Sequence, residues 1–310
     1  MKKIIFFIVL ILLTEGCNNA QQNNNQDLRK FYLNQSEPGK IPKVFAPGII
    51  STDGNEANLV AYPGGNELYF VKYAKVGNGL KGTICYVKLD GERWSEPKAL
   101  TFSGVYEDSY LAIHPDGSRL YWQSDRPIDK SESSYKWNIW YVDRIGDGWS
   151  EPHSIGRPIN GEKITSGPSV TLDGTMYYTL MSLGGLSEIY RSKYVDGKYQ
   201  EPERLPYNIN AVKQQFDSYI APDESYLIFC AYERSDSYGS TDLYVSFREE
   251  NDNWSQSINL GSTINTNETE GSATISPDGK YIFYGRYNNE KQNNLDVYWF
   301  NTETIKELKL

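Results

Sequence analysis

A tight turn returns five times along this chain, each time ahead of an alternating run of aromatic and aliphatic residues. The turns are Pro63-Gly64-Gly65, Pro115-Asp116-Gly117, Leu172-Asp173-Gly174, Pro222-Asp223-Glu224 and Pro277-Asp278-Gly279. The runs are Leu68-Tyr69-Phe70, Leu120-Tyr121-Trp122, Met176-Tyr177-Tyr178, Leu227-Ile228-Phe229 and Ile282-Phe283-Tyr284, and successive turns are 52, 57, 50 and 55 residues apart. Short alternating runs read as strands, and a period this long built only of strands and turns restricts the chain to a repeated antiparallel sheet unit.

Two further signals recur in phase. One is an aromatic residue leading into a Glu-Pro step: Trp94-Ser95-Glu96-Pro97, Trp149-Ser150-Glu151-Pro152, Tyr199-Gln200-Glu201-Pro202 and the degraded Trp254-Ser255-Gln256-Ser257. The other is a run between turn and motif: Ile84-Cys85-Tyr86, Ile139-Trp140-Tyr141, Ile189-Tyr190-Arg191, Leu243-Tyr244-Val245 and Val297-Tyr298-Trp299. Each repeat thus predicts four strands, which is one β-propeller blade. The expected fold is all-β: a five-bladed β-propeller of four-stranded antiparallel blades over residues 40–310. Six blades is the alternative, although no sixth turn-plus-aromatic signal is present. The 25 tyrosines suit sheets packed face to face, and no stretch has sustained helical amphipathy.

The repeats also suggest how the ring closes. Pro42-Lys43-Val44-Phe45 matches Pro97-Lys98-Ala99-Leu100, the end of a blade, whereas the fifth repeat stops soon after its third strand. The N-terminal segment is therefore expected to complete the last blade and hide its edge. Thr304 to Leu310 is the competing candidate for that strand.

Ahead of the repeats, Met1-Lys2-Lys3 precedes an apolar run from Ile4 to Leu13, then Thr14-Glu15-Gly16-Cys17. The run is too short to span a bilayer. It resembles a bacterial lipoprotein signal, with Thr14 and Glu15 where leucine and a small residue are commonest. The resemblance implies a signal peptide at 1–16, lipidation of Cys17, a disordered tether at 17–39 rich in Asn and Gln, and a bacterial cell-envelope location at the outer membrane. Cys85 and Cys230 fall in separate repeats and are expected as buried free thiols. A net charge of -9 excludes a general electrostatic footprint for nucleic acid.

The segments Ser276-Pro277-Asp278-Gly279-Lys280-Tyr281-Ile282-Phe283, Thr241-Asp242-Leu243-Tyr244 and Asn259-Leu260-Gly261-Ser262-Thr263-Ile264-Asn265-Thr266 resemble the WD-like "Pro-Asp" repeats of TolB-type envelope propellers. The resemblance covers about Pro42 to Phe300 and is specific for fold more than for function. It implies a binding platform in the envelope. Related repeats also gate peptidases, but no Gly-x-Ser-x-Gly elbow is present.

Eight residues before each turn aspartate, or its counterpart, stand Glu56, Asp108, Thr165, Gln215 and Glu270. This position should begin the innermost strand and ring one channel mouth. A second polar series, Thr83, Asn138, Glu188, Asp242 and Asp296, opens the third strand, and Arg126, Arg234 and Arg286 end the second. Asp242 and Asp296 share repeats with such arginines, so pairing could simply brace the sheets. The loops between second and third strands carry Tyr135, Tyr238 and Tyr287 among polar neighbours, a composition suited to recognition.

The binding candidates are therefore Glu56, Asp108, Gln215, Glu270, Arg126, Tyr135, Arg234, Tyr238 and Arg286. The partner would be an envelope protein, peptide or glycan met by a monomer attached to the membrane through its lipid. His114 and His153 lack partners at metal-ligand spacing, so neither metal nor cofactor is expected, and no catalytic residue is assigned. The alternative is a glycoside hydrolase-like enzyme using channel carboxylates from among Glu56, Asp108 and Glu270.

Overall fold

A computed structural model describes residues 32–33, 35–77, 79–129, 136–161, 163–182, 184–287 and 295–309. Cys17, Tyr135, the 1–16 signal segment and most of the 17–39 tether lie outside these residues.

Each repeat opens with an inner strand paired antiparallel to the next strand across the recurrent turn. The pairs are Asn55–Ala61 with Glu67–Val76, Asp108–Ile113 with Arg119–Ser124, Ile164–Val170 with Met176–Ser182, Gln215–Ile220 with Tyr226–Tyr232, and Thr269–Ile275 with Tyr281–Tyr287. Third strands follow at Gly79–Asp90, Asn138–Ile145, Leu186–Ser192, Thr241–Phe247 and Leu295–Asn301. Outside them lie two-residue strands, Lys98–Ala99, His153–Ser154, Glu203–Arg204 and Ile258–Asn259.

Beside the last third strand, that place is taken by Lys43–Val44, with Lys43 opposite Trp299 and Val44 opposite Tyr298. Phe45 is fully buried next to them, 4.9 Å from the Phe283 ring and 5.1 Å from Trp299. The competing segment is not a strand. Glu303–Leu308 forms a helix, and Ile305 and Leu308, three residues apart, pack onto the last two units as a helical face would. Ordered packing also starts earlier than the composition of the tether suggested: Tyr32 is buried, with its ring 4.8 Å from Tyr281 and 5.5 Å from Trp299.

A repeated side-chain bond holds three of the fourth-strand exits to their sheets. Asn160 accepts from Ile139 N and donates to Ile139 O, Asn210 does the same with Ile189, and Asn265 with Leu243. Ser51 reproduces this pair of bonds with Val297. The N-terminal segment thus satisfies the last sheet's backbone as the loops do elsewhere.

The inner strands lie side by side in sequence order, and Asn55–Ala61 also contacts Thr269–Ile275. Aromatic and aliphatic faces meet between neighbouring sheets, as where Val60, Tyr69 and Ile84 pack with Leu120, Trp122 and Trp140. Cys85 and Cys230 are free and buried within such layers. The architecture is all-β and propeller-like.

Candidate binding cavity

The position expected to ring an open channel mouth is closed. Glu56, Asp108, Thr165, Gln215 and Glu270 are each 0% exposed. Every one is bound to the loop that precedes its own strand. Glu56 accepts from Thr52 N at 3.2 Å and Thr52 Oγ1 at 2.8 Å; Glu270 repeats this with Thr266 at 3.2 and 2.7 Å. Asp108 accepts from Ser103 Oγ at 2.7 Å, Thr165 donates to Asn160 Oδ1 at 2.9 Å, and Gln215 Oε1 accepts from Val212 N at 2.5 Å while its Nε2 donates to Val212 O at 2.9 Å. Side chains of four kinds thus do one job, satisfying loop groups that burial would otherwise orphan.

The arginines join this bracing, but with different acids from those expected. Arg126 reaches Asp108 at 3.0 Å and Arg286 reaches Glu270 at 3.0 Å. Each also donates to a loop carbonyl, Phe102 O or Ile264 O, and lies over an aromatic ring, Trp122 or Tyr298. Arg234 pairs with Asp236 and sits 4.3 Å from the Tyr244 ring centroid. Asp242 instead accepts from Tyr238 N, Gly239 N and Asn259 Nδ2. Of the recognition candidates in this region, Tyr238 alone has a well-exposed side chain, and Tyr135 lies outside the described residues.

Two residues further along every inner strand the chemistry changes. Asn58, Tyr110, Gly167, Asp217 and Ser272 all take left-handed backbone angles, with φ between 51° and 56°. The register of each inner strand with its neighbour slips at this point, the mark of a β-bulge. Only one of the five is glycine, the residue that adopts such angles without steric cost, so sequence alone did not reveal the bulges.

The bulged residues, with the ends of the inner strands and Pro63, Pro115, Pro222 and Pro277 of the turns, line a cavity of about 280 Å3. It therefore lies toward the turn end of the inner strands, away from the loops that carry Arg126 and Tyr238. Its walls are largely apolar, from Val60, Ile113, Val170, Ile220 and Ile275, with Tyr219 and Tyr226 among them. Neighbouring inner strands are clasped around it: Leu111 N donates to Asn58 Oδ1, Ile220 N to Ser169 Oγ at 2.9 Å, and Thr274 Oγ1 to Leu59 O.

Among the described residues, Asp217 is the one acidic residue in the lining, which contains no Lys, Arg or His. It is buried, and burial pushes its carboxyl up to about 7, against hydrogen bonds from Ser272 and Tyr110 that favour the charged form. Ser272 Oγ donates to Asp217 Oδ2 at 3.2 Å. The Asp217 charge in turn raises the Tyr110 phenol, with burial adding to the effect. Next to Asp217, the buried Ser218 hydroxyl has no hydrogen-bond partner among the described residues. Burial also raises the carboxyls of Glu107, Glu270 and Asp296, which lie outside the cavity lining; Glu107 accepts from Ser109 at 2.9 Å.

No family model matches this sequence, and no curated protein matches it. Solved structures do resemble it in shape. A putative TolB from Agrobacterium tumefaciens is 13% identical with a TM-score of 0.52, covering 81% of this chain and 78% of its own. Native arabinanase Arb43A from Bacillus subtilis is 11% identical with a TM-score of 0.53, covering 82% and 95%. A glycoside hydrolase is 12% identical with a TM-score of 0.54, covering 88% and 94%. At these identities the likeness is one of fold alone: a propeller-type fold.

Proposed function

We propose that the five sheet units are the blades of one ring closed by Lys43–Val44, and that this ring is a non-catalytic binding protein of the bacterial envelope. It is held at the outer membrane by lipid on Cys17 and takes a small ligand, or the end of a peptide or glycan, into the central cavity. The observation that carries the reading is the lining itself: one carboxylate in an otherwise apolar, hydroxyl and amide surface. Glycoside cleavage takes two carboxyl groups facing one cavity at roughly 5 to 10 Å. Glu56, Asp108 and Glu270, the acids that could have served, are committed to their own loops. A cavity of this size is at the lower end for ligand sites, which suits one monosaccharide or one amino-acid side chain.

The test is an obstruction at the wall. Ile113→Trp, at a partly exposed lining position, should leave the melting temperature near that of wild type and abolish binding seen by saturation-transfer NMR with a panel of short peptides and oligosaccharides. Unchanged binding in this variant would move the site elsewhere, and turnover of a glycoside panel by wild type would overturn the non-catalytic reading. Cys17→Ser should release the protein from membranes on fractionation, because the acyl chains supply the attachment. Retention at the membrane would reject the anchor.

A further inference from the structure

We infer that the cavity recognises a primary ammonium group, with Asp217 as its countercharge and the Tyr219 and Tyr226 rings and proline-rich rim enclosing the attached stem. The inference rests on the cavity being the binding site, and it names the chemistry of what enters.

The bulge ring makes Asp217 conspicuous. The other four bulged positions are Asn58, Tyr110, Gly167 and Ser272, all uncharged, so the bulge itself does not require a carboxylate. A buried ionisable group without a cation opposes folding whenever it is charged. Among the described residues no positive group contributes to the state of Asp217, which burial, Ser272 and Tyr110 set. Gly167 leaves the space beside Asp217 Oδ1 without a side chain; a Cβ there would stand 3.5 Å from that oxygen. The unpartnered Ser218 hydroxyl supplies an acceptor at the neighbouring position.

The lining also selects against other ligand classes. An anion would meet Asp217 and no Lys or Arg. A hard divalent cation takes six or more oxygen ligands, usually with several carboxylates, and a single carboxylate among apolar walls is a poor match. An ammonium needs one countercharge and a few acceptors, and it gains from nearby aromatic faces. The net charge of -9 biases long-range attraction the same way.

Benzylamine and benzyl alcohol share one frame and differ in charge, so the pair isolates the ammonium group. Titrated calorimetrically into the intact folded protein near pH 8, benzylamine should bind at least about tenfold more tightly than the alcohol, equivalent to about 1.4 kcal/mol. Amines of this kind stay protonated well above neutrality, so any pH dependence reports the protein. With the carboxyl near 7, lowering the pH from about 8 to about 5.5 should weaken benzylamine binding about 30-fold and leave the alcohol unchanged.

Asp217→Asn should remove both the amine preference and the pH dependence, while the wild-type pH comparison needs no variant at all. Equal binding of the two probes, or tighter binding at the lower pH, would overturn the ammonium assignment. If that binding were still lost in Ile113→Trp, the cavity reading would stand. Binding of neither probe would overturn the ammonium inference, and the peptide and glycan panel would then decide the cavity separately.

Discussion

Asp108 and Asp217 stand two positions apart in the common frame of the inner strand, both buried, and their surroundings are opposite. Asp108 accepts from Ser103, Trp122 Nε1 and Arg126. Asp217 has hydroxyl donors and no cation. The Asp108 position carries one structural task through all five repeats even though its residues differ: Glu, Asp, Thr, Gln and Glu. At the Asp217 position it is the backbone conformation that recurs, and the side chains share no common bond. In a repeat protein, periodicity marks what the scaffold needs from every unit, and a ligand site in the middle is free to break it.

The largest expected effect belongs to the braced acid. Arg126→Ala leaves Asp108 buried without its cation, and should cost about 3–5 kcal/mol, or about 5–15 °C in melting temperature. A loss below about 1 kcal/mol in denaturant titration would mean that the loop bonds suffice without the arginine.

The second effect has the opposite sign. Because burial raises the folded-state carboxyl of Asp217 above its unfolded value, the unfolded chain ionises first, and stability should fall from about pH 4 until the folded carboxyl has titrated near 7. Asp217→Asn should remove its share of that fall, leaving the part owed to Glu107, Glu270 and Asp296, and gain about 2–4 kcal/mol near pH 8, read by urea denaturation across pH. A destabilised variant with the pH slope intact would place Asp217 with the braces and erase the contrast.

The smallest effect should come from Tyr238, a sequence-derived binding candidate. Its side chain is 53% exposed, so Tyr238→Ala should change stability by less than about 0.5 kcal/mol and leave benzylamine binding unaltered. Weakened binding would show that the loop face shares in recognition.

Strand-sized runs, turns and the fourth-strand likeness of residues 42–45 were all legible, because alternation and recurrence are one-dimensional signals. The partners of the arginines were not. Arg286 stands opposite both Glu270 and Asp296 in the two flanking registers, and order along the chain cannot choose between them. The structure pairs it with the fully buried Glu270, the acid for which an unpaired charge would cost more. The bulges were hidden for a related reason. Gly167 could have announced a left-handed angle, but Asn58, Tyr110, Asp217 and Ser272 gave no common signature, and slipping the register there redirects the side chains toward the cavity. The exit loops held by Asn160, Asn210 and Asn265 show the reverse case: an identical residue stands 21 or 22 positions after the bonded third-strand residue in three repeats, a spacing written in the sequence.

The bond between Ser51 and Val297 joins positions 246 residues apart. The segment that occupies the last sheet's outer edge is therefore among the first pieces of the folded body to be made, and it cannot be seated before strand Leu295–Asn301 exists. At ordinary elongation rates it waits about 12–50 s for its partner strand. Throughout that interval Phe45, which ends up wholly enclosed, has no aromatic cage to enter, and the nascent chain must stay soluble with a hydrophobic latch hanging loose.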